Sequence, residues 1–242
     1  MARHPPDRPG AHRGTAGVAT RRTASPAREQ ALLAEVEALE IRLREVHHRI
    51  RGQLQTIASL LSMQADGTRD ESHSHALADA AMRILTIASI DDHLRDQPAA
   101  SAVEMRSAIR ALVDLAQQAL GVPTPAVTVA LDLEPFTLPP ALAVSCGLVV
   151  NELITNALRH AFVGRPGGRV EVRAGTHDDR VTIMVHDNGI GFAHEWATTA
   201  PSGTGLDLVR LLATRQLHGE LVIAHTGGTR CIVTFPLPTD AT

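Results

Sequence analysis

No lysine occurs in the 242 residues; all 23 basic side chains are arginine. This excludes lysine-based phosphate binding and Schiff-base chemistry. Aromatic residues make up 2% of the chain, too few for a base-stacking surface on single-stranded nucleic acid. The two cysteines, Cys146 and Cys231, lie far apart, show no metal-ligand spacing and sit in apolar runs, so both read as small core residues. A formal net charge of -3 gives no bulk attraction to nucleic acid or to a membrane. No apolar run approaches the ~20 residues of a membrane span. Arg3, Pro5, Pro6, Pro9 and Gly10 at the N-terminus lack the apolar core of a signal peptide. These absences predict a soluble protein of the reducing cytoplasm.

What is present divides into parts. Residues 1–27 are rich in Arg, Pro, Gly, Ala and Thr without periodicity, so a disordered tail is expected there. Residues 28–97 have helical patterning. Leu32, Val36, Leu39, Leu43, Val46 and Ile50 follow alternating steps of four and three, a heptad seam. Leu54, Ile57 and Leu61 continue it after one break in rhythm. The polar stretch Ala65–Asp70 ends this helix, and a second is expected over about 74–96. Such a hairpin has apolar stripes that want partners on several sides, as in a dimeric four-helix bundle. Residues 98–102 read as a linker. Over 103–239, helices are expected at about 103–120, 140–162 and 206–217, with strands at 127–131, 169–174, 180–186, 220–224 and 230–235. The fold class is therefore α+β, a helical hairpin followed by an α/β sandwich.

Short motifs follow one another in the last hundred residues. In Asn151-Glu152-Leu153-Ile154-Thr155-Asn156-Ala157-Leu158-Arg159-His160, helical spacing puts Glu152, Asn156, Arg159 and His160 on one polar face. A carboxylate, a carboxamide and a guanidinium on one stripe suit hydrated Mg²⁺ beside phosphates, although alone they also suit a solvated helix face. Asp187-Asn188-Gly189-Ile190-Gly191 follows a β-patterned run and by itself reads as a turn. Gly203-Thr204-Gly205-Leu206 opens a helix, where glycines let backbone approach phosphate oxygens. Gly228-Thr229 precedes the final strand. Their order, spacing and context together carry more than any one of them.

This combination, over about 103–238, resembles the Bergerat ATP-binding domain shared by histidine kinases, gyrase, heat-shock chaperone ATPases and mismatch-repair ATPases. The resemblance implies that Asn156 ligates Mg²⁺, that Glu152 orients its water shell, and that Arg159 and His160 contact phosphate. It also implies that Asp187 hydrogen-bonds the adenine amino group while Gly189 and Gly191 give the base room. Phe192 to Ser202 would form a lid; Gly203, Thr204, Gly205 and Leu206 would flank the triphosphate, with Gly228 and Thr229 beside the pocket. In the hairpin, Glu45-Val46-His47-His48-Arg49-Ile50-Arg51-Gly52-Gln53-Leu54-Gln55 resembles the phosphoacceptor box of a histidine kinase subgroup that usually reads E-[IV]-H-H-R-V-K-N-N-L-Q. In that subgroup the acceptor is the histidine before Arg, here His48. Helix geometry agrees, since His48 lies about 200° around from Val46 and from Ile50, away from the seam, while His47 lies about 60° from Ile50.

The implied reaction is ATP-dependent autophosphorylation of His48, with transfer to an aspartate of a response-regulator receiver domain. An imidazole of reference pKa about 6.5 offers a neutral nitrogen for this at neutral pH. Glu45, one turn earlier, either holds a ring nitrogen of His48 or is a surface heptad charge. A homodimer through the hairpin is implied; nucleic-acid and membrane partners are not. No recognisable sensor domain precedes the hairpin, so the input is expected from an unknown sensory partner, from the tail, or from a source the sequence does not display. The usual Lys-Asn of the acceptor box is Arg51-Gly52 here, from which local helix flexibility is expected. Two other readings stay open: an anti-sigma-type Ser/Thr kinase, which shares the ATP domain but has no acceptor hairpin, and a non-catalytic phosphotransfer or scaffold protein.

Overall fold

The computed structural model describes residues 26–95, 102–121, 127–191, 205–225 and 227–238. Residues 1–25 of the expected tail, most of the linker, the expected lid, Gly203 and Thr204 lie outside the described residues, while Pro26 and Ala27 already belong to a helix. Packing divides the chain into two units, Met1–Leu43 and Arg44–Thr242. Helix α1 spans Pro26–Gly67. Within the first unit, Leu32, Leu33, Val36, Leu39, Ile41 and Leu43 are all exposed.

In the second unit, α1 carries two stripes instead of one seam with a break. Val46, Ile50, Ile57 and Leu60 stay exposed, whereas Arg51, Leu54, Ala58, Leu61 and Ala65 form a partly covered stripe one residue away. The expected break in rhythm is the point where two interleaved stripes of the same period were read as one. The helix runs through Gly52 without interruption, and Thr56 Oγ1 donates to the Gly52 carbonyl at 2.8 Å.

Helix α2, Glu71–Arg95, joins α1 through side-chain links. His47 Nδ1 lies 3.1 Å from Asp91 Oδ1, and Arg51 pairs with Asp92. The α1–α2 turn is fixed by Asp70, whose carboxylate accepts from the Ser72 and His73 amides. The other side of α2 enters the main core through Met82 and Ile90, with Leu85 and Leu94 packed against it. Ile90 seats against Gly147, where a Cβ would meet its Cδ1 at 3.1 Å.

A two-residue strand β1, Val103–Glu104, precedes helix α3, Met105–Ala119. The helix expected from 103 starts later because β1 pairs antiparallel with β3, Thr137–Leu138, and Glu104 caps α3. Its carboxylate accepts from the Arg106 amide at 3.1 Å and the Ser107 amide at 2.8 Å. Met105, Ala108, Ile109, Leu112, Val113 and Ala116 form the buried face. Helix α4, Pro140–His160, starts on Pro140, whose fixed φ and missing N–H suit a first turn. It alone among the described helices has the length and hydropathy of a membrane span, yet 67% of that window is buried within the protein. The expectation of no apolar stretch near that length is thus corrected: Ser145, Asn151, Glu152 and Thr155 interrupt the apolar sequence of α4, and it is the core helix.

The sheet has the order β2-β4-β5-β7-β6, with β2 Val127–Leu133, β4 Gly168–His177, β5 Arg180–Asp187, β6 Glu220–His225 and β7 Thr229–Pro236. β2 pairs parallel with β4 and the other pairings are antiparallel. Val170, Val172, Val181, Ile183, Val233 and Phe235 are buried in the core that α3 and α4 share. Helix α5, Gly205–Leu211, widens into a π-helical turn at Leu212–Gln216, closed by Leu217 N donating to Leu212 O at 2.9 Å. The expected order of helices and strands is therefore present, with β1, β3 and this wide turn added.

Candidate functional site

The motif residues meet around the C-terminal half of α4. Asp187 ends β5 and is 4% exposed. Its Oδ1 accepts from the Gly189 amide at 2.9 Å and from the Thr229 amide at 3.2 Å. Glycine is required on both sides of this carboxylate. A Cβ on Gly189 would lie 2.1 Å from the Ala161 carbonyl oxygen, and one on Gly228, at φ 145°, would lie 1.9 Å from the Asp187 carbonyl oxygen. Ile190 N donates to Ala161 O at 2.8 Å, so the turn after β5 is tied to the end of α4. Asn188 extends the tie, its Oδ1 accepting from the Arg169 amide at 2.7 Å and its carbonyl from Arg165 Nη1 at 2.6 Å.

Beside this turn lies an open cleft of ≈ 330 Å³, lined by Arg165, Gly189, Ile190, Gly191, His225, Gly227 and Gly228. Burial and the nearby Asp187 charge push the Cys231 thiol up to about 12, and burial alone pushes Cys146 to about 12. Both stay protonated core thiols.

Glu152 and Asn156 meet the start of α5. A Cβ on Gly205 would lie 2.3 Å from Glu152 Oε2 and 3.5 Å from Asn156 Nδ2. Leu206, next along, packs against the core. From Asn156 to Ala161 the helix rises about 7–8 Å, which offsets the Glu152–Asn156–Gly205 locus from the Asp187–Gly189 locus along the helix axis.

The charged residues of the α4 stripe are already engaged. Glu152, 5% exposed, accepts from Arg83 Nε at 2.7 Å and from Arg83 Nη2 at 3.1 Å. That hydrogen bond, partly offset by burial, holds the Arg83 guanidinium above its ordinary value. Arg159 pairs with Asp79. His160 lies at the surface, with its imidazole pulled below the usual value by desolvation first, then by Arg159 and His75, against the opposing Asp79. Asn151 Oδ1 and Thr155 Oγ1 are buried without a hydrogen-bond partner among the described residues. Asp79, Arg83, Arg165 and His225 carry no local sequence pattern; the partners of Asp79, Arg83 and Arg165 lie far along the chain, and His225 joins the site by lining the cleft.

His48 is exposed on α1 and His47 is half-buried against Asp91. Glu45 is engaged by Arg49 Nη2 at 3.3 Å, one turn on. Glu45 is exposed and pairs with Arg49 rather than with the His48 ring in this conformation. Among the described residues, no group of three His, Cys, Asp or Glu side chains is arranged to hold a metal.

The domain is a mixed five-stranded sheet backed by helices, with an aspartate clasped by glycine turns at the end of the core helix. Residues 142–239 match the family described as histidine kinase-, DNA gyrase B-, and HSP90-like ATPase, and residues 45–120 match the family described as histidine kinase. The chain thus belongs to the histidine kinases, in the subgroup with the doubled-histidine acceptor box. It is 29% identical over 213 residues to the sensor histidine kinase PdtaS of Mycolicibacterium smegmatis, an overlap of 87% of this chain and 42% of that protein. The chain therefore spans less than half the length of that relative. The histidine kinase domain of a blue-light activated histidine kinase from Erythrobacter litoralis superposes with a TM-score of 0.60 at 24% identity, over 84% of this chain and 94% of that one. The serine-protein kinase RsbW of Listeria innocua is 38% identical over 45 residues, 19% of this chain and 29% of that protein.

Proposed function

We propose that this chain binds ATP along α4, phosphorylates His48, and passes the phosphoryl group to an aspartate of a response-regulator receiver domain. The observation that carries this is the convergence of the separate motifs on one helix, in a chain that also displays an exposed His48. Asp187 would take the adenine amino group, since the carboxylate is fixed by two backbone donors beside a cleft lined by Gly189, Gly191, Gly227 and Gly228. Arg159 and His160 would meet phosphate oxygens, and Gly205 would let backbone approach them.

The residues at the Gly205 locus fit Mg²⁺. They are hard oxygen donors, one carboxamide and one carboxylate, and Mg²⁺ takes few protein ligands while keeping waters and phosphates. Asn156 would hold the ion and Glu152 would orient its water shell; when bound, it supplies neutralisation of charge on the triphosphate. The protein's own contribution is positioning. Val46 and Ile50 keep His48 on the opposite side of α1 from the exposed seam, so its ring nitrogen stays available for in-line attack. The seam itself supports a homodimer, because exposed leucines, valines and isoleucines at heptad spacing bury well only against another helix. A cytoplasmic location, with the receiver domain and ATP, belongs to the same reading.

RsbW matches only 45 residues, 19% of this chain, and the Ser/Thr kinase reading leaves the acceptor-type hairpin without a role. Incubation with γ-labelled ATP and Mg²⁺, followed by acid and alkali treatment, tests the proposal. Acid-labile, alkali-stable label that moves to a receiver domain is expected. Acid-stable label would favour the Ser/Thr kinase, and no label with intact folding would favour the scaffold.

A further inference from the structure

Helix α2 lies antiparallel along α4. As its residue numbers fall from Ile90 to Arg83 to Asp79, its partners rise from Gly147 to Glu152 to Arg159. The first contact is apolar and the last two are ionic. Asp79 and Arg83 are one turn apart on α2, and their charges cross-match those of Arg159 and Glu152, two turns apart on α4. The two residues so engaged are the charged side chains that the nucleotide site needs for phosphate and for the metal's water shell.

The interface between them is not a well-satisfied one. Asn151 and Thr155 fall on the α4 stripe between Gly147 and Arg159. Both are nine-tenths or more buried, and their Oδ1 and Oγ1 atoms lack a hydrogen-bond partner among the described residues. Separation of α2 would return both to water, so this contact is cheaper to open than an apolar one of the same size.

We infer that Asp79 and Arg83 are positioning residues of the kinase reaction. With α2 docked, they hold Arg159 and Glu152 in ion pairs that a Mg-nucleotide must displace, so docking of α2 and engagement of the triphosphate exclude each other. Asp79 acts as an internal anion in place of phosphate, and Arg83 as an internal cation on the carboxylate beside Asn156. By linkage, whatever loosens α2 tightens nucleotide, and nucleotide loosens α2 to the same extent. A signal that rotates or lifts the hairpin would thereby reach the nucleotide site directly.

The inference rests on the nucleotide-site reading above, and one set of measurements separates the two. Affinity for ADP with Mg²⁺ is measured by calorimetry on the full chain for wild type, Asp79→Asn, Asp79→Glu, Arg159→Gln and the double variant Asp79→Asn/Arg159→Gln. Asp79→Asn should bind roughly 5- to 20-fold tighter than wild type, and Asp79→Glu should return to wild-type affinity. In the Arg159→Gln background the gain should vanish, because the guanidinium that Asp79 masks is gone. Unchanged affinity in Asp79→Asn, or an equal gain without Arg159, overturns the inference while leaving the site in place. Failure of wild type and every variant to bind nucleotide overturns the site itself. Hydrogen exchange on the unmodified chain gives a second decision that needs no variant. ADP with Mg²⁺ should speed exchange of the α2 amides around 79–90, and unchanged protection at nucleotide saturation overturns the inference.

Discussion

Replacement of Asp187 tests the pocket at its most constrained atom, and two replacements separate its two jobs. The carboxylate is 4% exposed, and one oxygen takes both the Gly189 and the Thr229 amides. Asp187→Ala strands two buried N–H groups, each costing about 1–3 kcal/mol. The sum, about 2–6 kcal/mol, is a large part of an ordinary domain's stability of about 5–15 kcal/mol. Asp187→Asn keeps an acceptor for both amides and removes only the charge, so it should unfold with a loss of about 1–2 kcal/mol. Its amide group then faces the base with a donor where adenine also presents a donor. ATP affinity should fall roughly 5- to 150-fold, the equivalent of about 1–3 kcal/mol. A 6-oxo purine nucleotide, which presents an acceptor there, should lose less. Thermal unfolding gives the first number and calorimetry the second. An Asn variant that binds ATP as wild type does would refute the contact with the base; an Ala variant as stable as wild type would refute the role of the carboxylate in holding the turn.

The Glu104 cap gives a pH-dependent prediction. Burial alone would raise this carboxyl, but the hydrogen bonds from Ser107 and Arg106 outweigh it and hold the group below its ordinary value of 4.5. A depressed folded-state value means the cap stabilises fully above that ordinary value and loses its contribution as pH falls through the folded one. Glu104→Ala should cost about 0.5–2 kcal/mol near neutrality, and denaturant titrations should show the gap to wild type closing in acid. Gly52 lies four residues after His48, where a side chain has open space. With no side chain there to aim a water, the wild type should dephosphorylate its bound receiver slowly, and Gly52→Asn should speed that decay in the presence of ADP. Fast decay with wild type, or no gain with Asn, would sink the idea.

The parts of the site that the sequence displayed are those whose chemistry is local. Glu152, Asn156 and Arg159 share a helix face by spacing alone, and Asp187 with Gly189 announces a tight turn after a strand. What the turn closes on, the Ala161 carbonyl and the Gly228 backbone, depends on tertiary approach and appears only in three dimensions. Asp79 and Arg83 were invisible for the same reason, since their partners are 80 and 69 residues away. Leu54 and Leu61 were placed on the wrong stripe of α1 because Ile57 and Leu60 repeat with the same steps one position off, and only packing against α2 tells the two apart. β3, at two residues, has no period to read. The wide turn after Leu211 is set by Leu217 and Gly219 reaching back to Leu212 and Ala213, a closure that propensity does not encode.

Site-resolved mapping of the phosphoryl group tests the central claim most directly. Wild type, His47→Gln and His48→Gln are incubated with γ-labelled ATP and Mg²⁺, quenched in alkali, and their phosphopeptides are sequenced, with ADP affinity measured in parallel. Label on His48 is expected in wild type and in His47→Gln, with none in His48→Gln and nucleotide affinity unchanged in all three. Acid-labile label that persists in His48→Gln, or that lies on any other side chain, would contradict the account.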